Sequence, residues 1–117
     1  MKIGIAGAGG LGSNVAVHLV RSGISSLKIC DFDVIENSNL NRQFYFKDQI
    51  GQNKVNALFE NLKRINPSLN LQIIQRKLDN SNLENIYNDC DIIVEAFDKK
   101  EFKALLLEKF INSKLNL

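Results

Sequence analysis

At 117 residues, with 44% hydrophobic side chains and a formal net charge of +2, the chain amounts to one small domain with enough apolar content to bury a modest core. Its 15 basic and 13 acidic residues are interspersed, which argues against a basic face for nucleic acid or a membrane surface. No apolar run approaches the roughly 18 residues of a membrane span, and the first residues read as a strand and a glycine turn rather than a signal peptide.

In chain order, KIGIA (Lys2–Ala6) is a short apolar run that ends at glycines, so a buried strand is expected. Leu11 to Arg21 follows as a helix, with Leu11, Val15, Leu19 and Val20 on one side and Gly23 at its C-terminal end. SLKIC (Ser26–Cys30) is strand two. Asp31 to Ile50 is long and irregular, with a turn of helix expected at Ser38–Asn41; loops of this length in compact domains are usually functional. Gln52 to Ile65 is the clearest helix: Val55, Leu58, Phe59, Leu62 and Ile65 follow helical spacing, and Pro67 stops it. LQIIQ (Leu71–Gln75) is strand three, Asn82–Tyr87 a short helical turn, DIIVEA (Asp91–Ala96) strand four, and Lys99–Ser113 a last helix with Phe102, Leu105, Leu106 and Phe110 inward.

Strands alternating with helices give an α/β fold with a parallel sheet and right-handed crossovers. The expectation is a partial Rossmann-like, doubly wound sheet of about four strands in the order 3-2-1-4, one domain over residues 1–117. Cys30 and Cys90 form no CxxC pair and lie in or beside apolar strands, which fits buried free thiols in a reducing cytoplasm.

Gly7, Gly9 and Gly12 make G-x-G-x-x-G between strand one and its helix. Gly7 permits the tight turn, Gly9 lets backbone approach a phosphate, and Gly12 allows close helix–strand packing. Gly10 adds backbone freedom, and Ser13 offers a hydroxyl in the first turn. The helix N-terminus presents unpaired N–H groups and the positive end of its dipole to an anion. Asp31 ends strand two, where a carboxylate can take ribose hydroxyls. A glycine turn kept only for packing explains neither Asp31 nor its spacing. The single histidine, His18, lies within the helix and reads as a helix-face residue.

An NAD enzyme needs little more than this, whereas an ATP enzyme needs fixed cations near three phosphates. Arg42 offers a planar fork and Lys54 a point charge, while Asn39, Asn41 and Gln43 add amide donors. Taken singly, Arg42 reads first as a surface ion pair and Lys54 as a solvated helix charge; in combination with the phosphate loop, both read as functional. Phe44, Tyr45 and Phe46 read as packing, with an aromatic clamp for a base as the alternative.

The succession GxGGLGS, DFDxIExSNLNRQ, GxxK, INP and an apolar strand leading to Asp98 resembles the ThiF/MoeB/HesA family of sulfur-carrier-protein adenylyltransferases, relatives of ubiquitin-activating enzymes. The resemblance runs from Lys2 to about Leu107, and EAFD is most similar to short ThiF-like members associated with thiamin biosynthesis. It implies ATP and Mg²⁺, a ubiquitin-like sulfur carrier (ThiS-like) as partner, and attack of the carrier's C-terminal glycine carboxylate on the α-phosphate. It implies Arg42, Lys54 and Asp98 as catalytic side chains, Asp31 on the ribose, and Asn39, Arg42 and Lys54 at the phosphates, with Gln43 supporting the loop. Asp33 is left between contacting the base-side loop and bracing Arg42. Asp98 is the implied Mg²⁺ ligand, against an ordinary N-cap role on the helix that follows. Glu95 reads as a strand-end structural acid.

Several positions depart from the family pattern. Lys99 stands where relatives often carry Asn, and Asn53 where proline is frequent. With no CxxC pair, no zinc is expected, and no cysteine follows strand four to carry a thioester or persulfide. The sequence stops where relatives continue with further strands, so the nucleotide half is expected without most of the carrier-binding half. An open edge on strand four would invite a homodimer. The competing expectations are an NAD-binding oxidoreductase domain, which leaves SNLNRQ unexplained, and a non-catalytic nucleotide-binding remnant.

Overall fold

The computed structural model describes residues 1–79 and 81–96; the expected helix over Lys99–Ser113 and the candidate metal ligand Asp98 lie outside the described residues. Four parallel strands, β1 (Ile3–Ala6), β2 (Ser26–Cys30), β3 (Asn70–Ile74) and β4 (Ile92–Glu95), form one sheet in the order β3-β2-β1-β4, the order that the alternation of elements predicts. In register, Ala6 pairs with Cys30 and with Glu95, and Cys30 pairs with Ile74. The C-terminal ends of all four strands are therefore level, and the chain leaves the two central ones into the glycine turn and the segment after Asp31.

Strand side chains alternate between two faces. Ile3, Ile5, Leu27 and Ile29 enter the core beneath α1 (Gly10–Arg21) and α2 (Lys54–Ile65), together with Ala16, Val20, Val55, Leu58 and Leu62. Each fully buried Leu or Ile there contributes about 1.5–3 kcal/mol. Ala6 and Cys30 point to the other face, where they meet Leu78, Cys90 and the short helix α3 (Leu83–Tyr87) through Ile86 and Tyr87. Tyr87 lies flat against Gly4, where an added Cβ would come within 2.5 Å of the ring, and its hydroxyl donates to Ile5 O at 2.8 Å.

Two helix ends follow local chemistry. After α1, Gly23 adopts φ 99°; its N–H bonds Val20 O, and Ile24 N–H reaches back to Leu19 O, the paired closure of a left-handed glycine cap. α2 ends at Ile65 because Asn66 precedes Pro67 and takes an extended conformation. The inward side of α1 differs from the sequence expectation: Leu11 is 53% exposed, while Gly12, Ser13, Ala16 and Val20 face inward. Small residues there let the helix start pack directly on the glycine turn, which a leucine would hold off.

At the opposite end of the sheet, charges are closely paired. Asp89, just past α3, accepts from Lys2 Nζ and from Lys28 Nζ, each at 2.6 Å. Lys28 Nζ also donates to Ile86 O at 2.6 Å, and Lys2 N–H donates to the Asp91 carboxylate at 2.8 Å. The two lysines hold the Asp89 carboxyl well below the usual carboxylate range. No helix among the described residues is long and apolar enough to cross a membrane.

Candidate functional site

The glycine loop leaves β1 at Gly7, whose φ of 106° permits the turn and whose N–H bonds Cys30 O at 2.9 Å. Gly12 must be glycine for another reason: a Cβ there would lie 2.0 Å from Gly7 O. Gly9 and Gly10 are different. A methyl group on Gly9 would meet Gln43 Nε2 at 3.6 Å, and one on Gly10 the Arg42 side chain at 3.8 Å, both ordinary contacts. The protein's own packing does not demand glycine at either position. The Gln43 and Arg42 side chains lie beside these two glycines, next to the start of α1. Neither Gly9 nor Gly10 N–H has an acceptor among the described residues, and α1 has no side-chain cap and no acid in its first turn. This end of the helix is positive and open.

Asp31 closes the loop from the β2 side. It is 9% exposed; its Oδ2 accepts from Ala8 N–H at 2.7 Å and its Oδ1 from Asp33 N–H at 2.8 Å. Each oxygen keeps a second lone pair, so a fixed carboxylate still presents acceptor capacity to hydroxyl donors.

The segment between Asp31 and α2 is ordered throughout by its own polar groups. Val34 bridges Asn53, Ile35 N–H bonds Gln52 O, and Gly51 N–H, at φ 91°, bonds Ile35 O. The expected turn of helix appears as a single 3₁₀ turn over Asn37–Asn39, with a second at Lys47–Gln49. Asn39 is buried; its Oδ1 accepts from Glu36 N–H at 2.8 Å, and its carbonyl accepts from Gln43 N–H at 2.9 Å. It thereby holds the turn that presents Arg42 and Gln43. Gln49 and Asn61 interlock through reciprocal amide bonds of 2.7 and 3.1 Å, Asn61 also donates to Phe44 O, and Gln49 Oε1 accepts from Phe46 N–H.

Three bonds stitch this segment to the glycine loop. Ser13 is fully buried; its hydroxyl donates to Gly9 O and accepts from Phe44 N–H at 3.0 Å. Asn14 Nδ2 donates to Gly10 O at 2.6 Å and to Arg42 O at 2.7 Å. Tyr45 OH donates to Ala8 O at 2.6 Å. Asn14 and Tyr45 belong to none of the motifs: one is the next residue after the candidate Ser13, and the other is the polar member of an aromatic triplet. Asn61 does carry a signal, as an amide among the apolar positions of α2.

Arg42 and Lys54 have few partners among the described residues. Arg42 stacks its stem against Gly10 and donates through NH1 to Ser38 O at 2.9 Å and Asn41 Oδ1 at 3.1 Å, with no acidic partner among the described residues. Lys54 opens α2 with its N–H on Asp33 O, and its ammonium, in a residue only 6% exposed, has Asp33 Oδ2 at 3.8 Å. That places Asp33 beside Lys54 rather than beside Arg42. Two buried acceptors lack any partner among the described residues: Gln43 Oε1, at the glycine loop, and Glu95 Oε2, on the β4 end. No group of three or more metal-ligating side chains occurs among the described residues. A groove of about 350 Å³ between Phe46, Asp48 and Arg64 shares no residue with the glycine loop.

A family model described as the ThiF family matches residues 1–117. The chain is 38% identical over 103 residues to the adenylyltransferase and sulfurtransferase MOCS3 of Caenorhabditis briggsae, covering 87% of this chain and 26% of that protein. It is 35% identical over 106 residues to the molybdopterin-synthase adenylyltransferase of Haemophilus influenzae, covering 90% of this chain and 44% of the relative. Its fold superposes with a TM-score of 0.92 on the E. coli tRNA N6-threonylcarbamoyladenosine dehydratase TcdA in complex with ATP, at 27% identity over 97% of this chain and 47% of the other. The chain thus spans less than half the length of these relatives.

Proposed function

Because the chain belongs to the ThiF family, we propose that it is the ATP-binding part of an adenylyltransferase that activates the C-terminal carboxylate of a ubiquitin-like sulfur carrier. The carrier's carboxylate oxygen attacks the α-phosphorus, the bond from that phosphorus to the bridging oxygen of pyrophosphate breaks, and an acyl-adenylate and pyrophosphate result. The finer reading is a ThiS-like carrier in thiamin biosynthesis. The observation that carries the proposal is the positive, uncapped start of α1, where the Gly9 and Gly10 N–H groups have no acceptor among the described residues and the Arg42 side chain, with no acidic partner among them, lies against Gly10.

In this reading, the glycine loop of Gly7, Gly9, Gly10 and Gly12 receives the phosphates. Ser13, Asn39 and Gln43 hold its surroundings, and Gln43 Oε1 has no donor among the described residues. Asp31, braced by two backbone N–H groups, holds the ribose hydroxyls. Arg42 offers a planar fork to phosphate oxygens, while Lys54 offers a point charge whose low exposure strengthens its field. These fixed cations stabilise charge as it moves onto the leaving pyrophosphate, without reorganising at the moment of reaction. Magnesium, held through Asp98, would neutralise phosphate charge during the attack.

Titration of the chain with ATP and with NAD tests the nucleotide. ATP is expected to bind with clear preference, and NAD preference would overturn the reading in favour of an oxidoreductase domain. Pyrophosphate exchange with ATP, dependent on an added carrier ending in Gly-Gly, tests the chemistry. Comparing a ThiS-like carrier with one of the molybdopterin-synthase type decides the pathway.

A further inference from the structure

The hydroxyl of Tyr45 is the side-chain polar group of the aromatic triplet, and it reaches the glycine loop. Tyr45 is 5% exposed, and its OH donates to Ala8 O at 2.6 Å in a buried contact. On the other side of the same residue, Ala8 N–H is held by Asp31 Oδ2 at 2.7 Å. Ala8 is therefore gripped at both of its peptide groups.

The geometry of the trans peptide gives this grip a consequence. The Ala8–Gly9 peptide is planar and trans, as are all peptides among the described residues, so the Gly9 N–H points opposite to the Ala8 C=O. With the carbonyl turned onto a buried phenol, the Gly9 N–H is turned away from that contact, and it has no acceptor among the described residues. The neighbouring Gly10 N–H is aimed in a related way: Gly9 O is held by Ser13 N–H at 2.9 Å and by the Ser13 hydroxyl. A flexible glycine turn would otherwise rotate its 8–9 peptide freely, since Gly9 has no Cβ to resist.

We propose that Tyr45 is a positioning residue for nucleotide phosphate: its hydroxyl fixes the Ala8–Gly9 peptide plane so that the Gly9 N–H is presented to a phosphate oxygen. It touches no phosphate itself. Burial, and secondarily the charge of Asp31, push the phenol far above its ordinary range, so it is a proton donor at neutral pH. The role rests on the ATP-binding reading above and adds to it a residue outside the glycine, SNLNRQ and GxxK motifs.

The test is Tyr45→Phe, which removes the oxygen and keeps the ring, measured with adenosine and with ATP as probes. ATP affinity is expected to fall about three- to tenfold, the worth of one neutral hydrogen bond, with adenosine affinity unchanged. A merely structural tyrosine would weaken both ligands alike or neither; either result overturns the inference while leaving ATP binding intact. Should the variant fail to fold, the wild-type chain carries the test by NMR. The ¹⁵N-labelled Gly9 amide proton is expected to move downfield on saturation with ATP and to stay in place with adenosine, and a Gly9 signal unmoved by ATP overturns the inference. A wild-type chain that binds no ATP fails the adenylyltransferase reading itself, and the role of Tyr45 with it.

Discussion

The two ends of the sheet treat their cations in opposite ways. At the N-terminal ends of the strands, Lys2 and Lys28 converge on one carboxylate, Asp89, at 2.6 Å each. At the C-terminal ends, among the described residues, Lys54 has one acid at 3.8 Å and Arg42 only neutral oxygens. The same residue types are thus consumed by structure at one end and held in reserve at the other. Pairing satisfied within the fold stabilises it, whereas pairing left open is available to a ligand, and parallel α/β sheets place that opening at their carboxyl ends.

The contrast is broken most severely by Gly12→Ala. A Cβ 2.0 Å from Gly7 O forces α1 off the loop, with an expected loss of about 3 kcal/mol in urea unfolding and of ATP binding altogether. Lys54→Ala removes a nearly buried cation that the fold hardly uses. ATP affinity should fall about 10- to 100-fold by calorimetry, the range for a charged hydrogen bond, while the urea midpoint stays level or rises. A lowered midpoint would mean that Lys54 belongs to the structural class after all. Arg42→Ala, at an exposed and screened position, should weaken ATP by about tenfold, and less at high salt.

Asp89→Asn probes the paired end, and nucleotide affinity should not change. Because both lysines depress the folded carboxyl, the aspartate contributes stability above its unfolded value, near pH 4, and loses it as pH falls toward the depressed folded value. The wild type is expected to be more stable than the variant by about 1 kcal/mol at pH 7, discounted because the carboxylate is half exposed, and the gap should close below pH 4 in thermal melts. A gap as wide at pH 2 as at pH 7 would show that the carboxylate acts by shape rather than by charge.

Much of this was legible in the chain itself. Strand order, the strands and both long helices follow from apolar periodicity, and Gly7 and Gly12 meet the demands of the glycine turn. The interior of 31–53 was not legible, because it is organised by single long-range polar contacts that have no period. Asn14 reaching Arg42 O and Tyr45 reaching Ala8 O join residues distant in sequence, and nothing in the spacing of either announces a partner. The inward side of α1 was misjudged at Leu11 for a related reason: hydrophobicity marks what can be buried, but here close approach selects small side chains.

The amide pair of Gln49 and Asn61 bears on kinetics. Each side chain both gives and receives, and together they fasten Phe44 and Phe46 to α2. The segment clamped in this way is already assembled before any ligand arrives, so docking forfeits little torsional freedom. Arrival should then be paced by diffusion and the pull of the Arg42 and Lys54 charges rather than by a slow closing step. A stopped-flow trace is expected to be a single exponential whose rate climbs linearly with ATP.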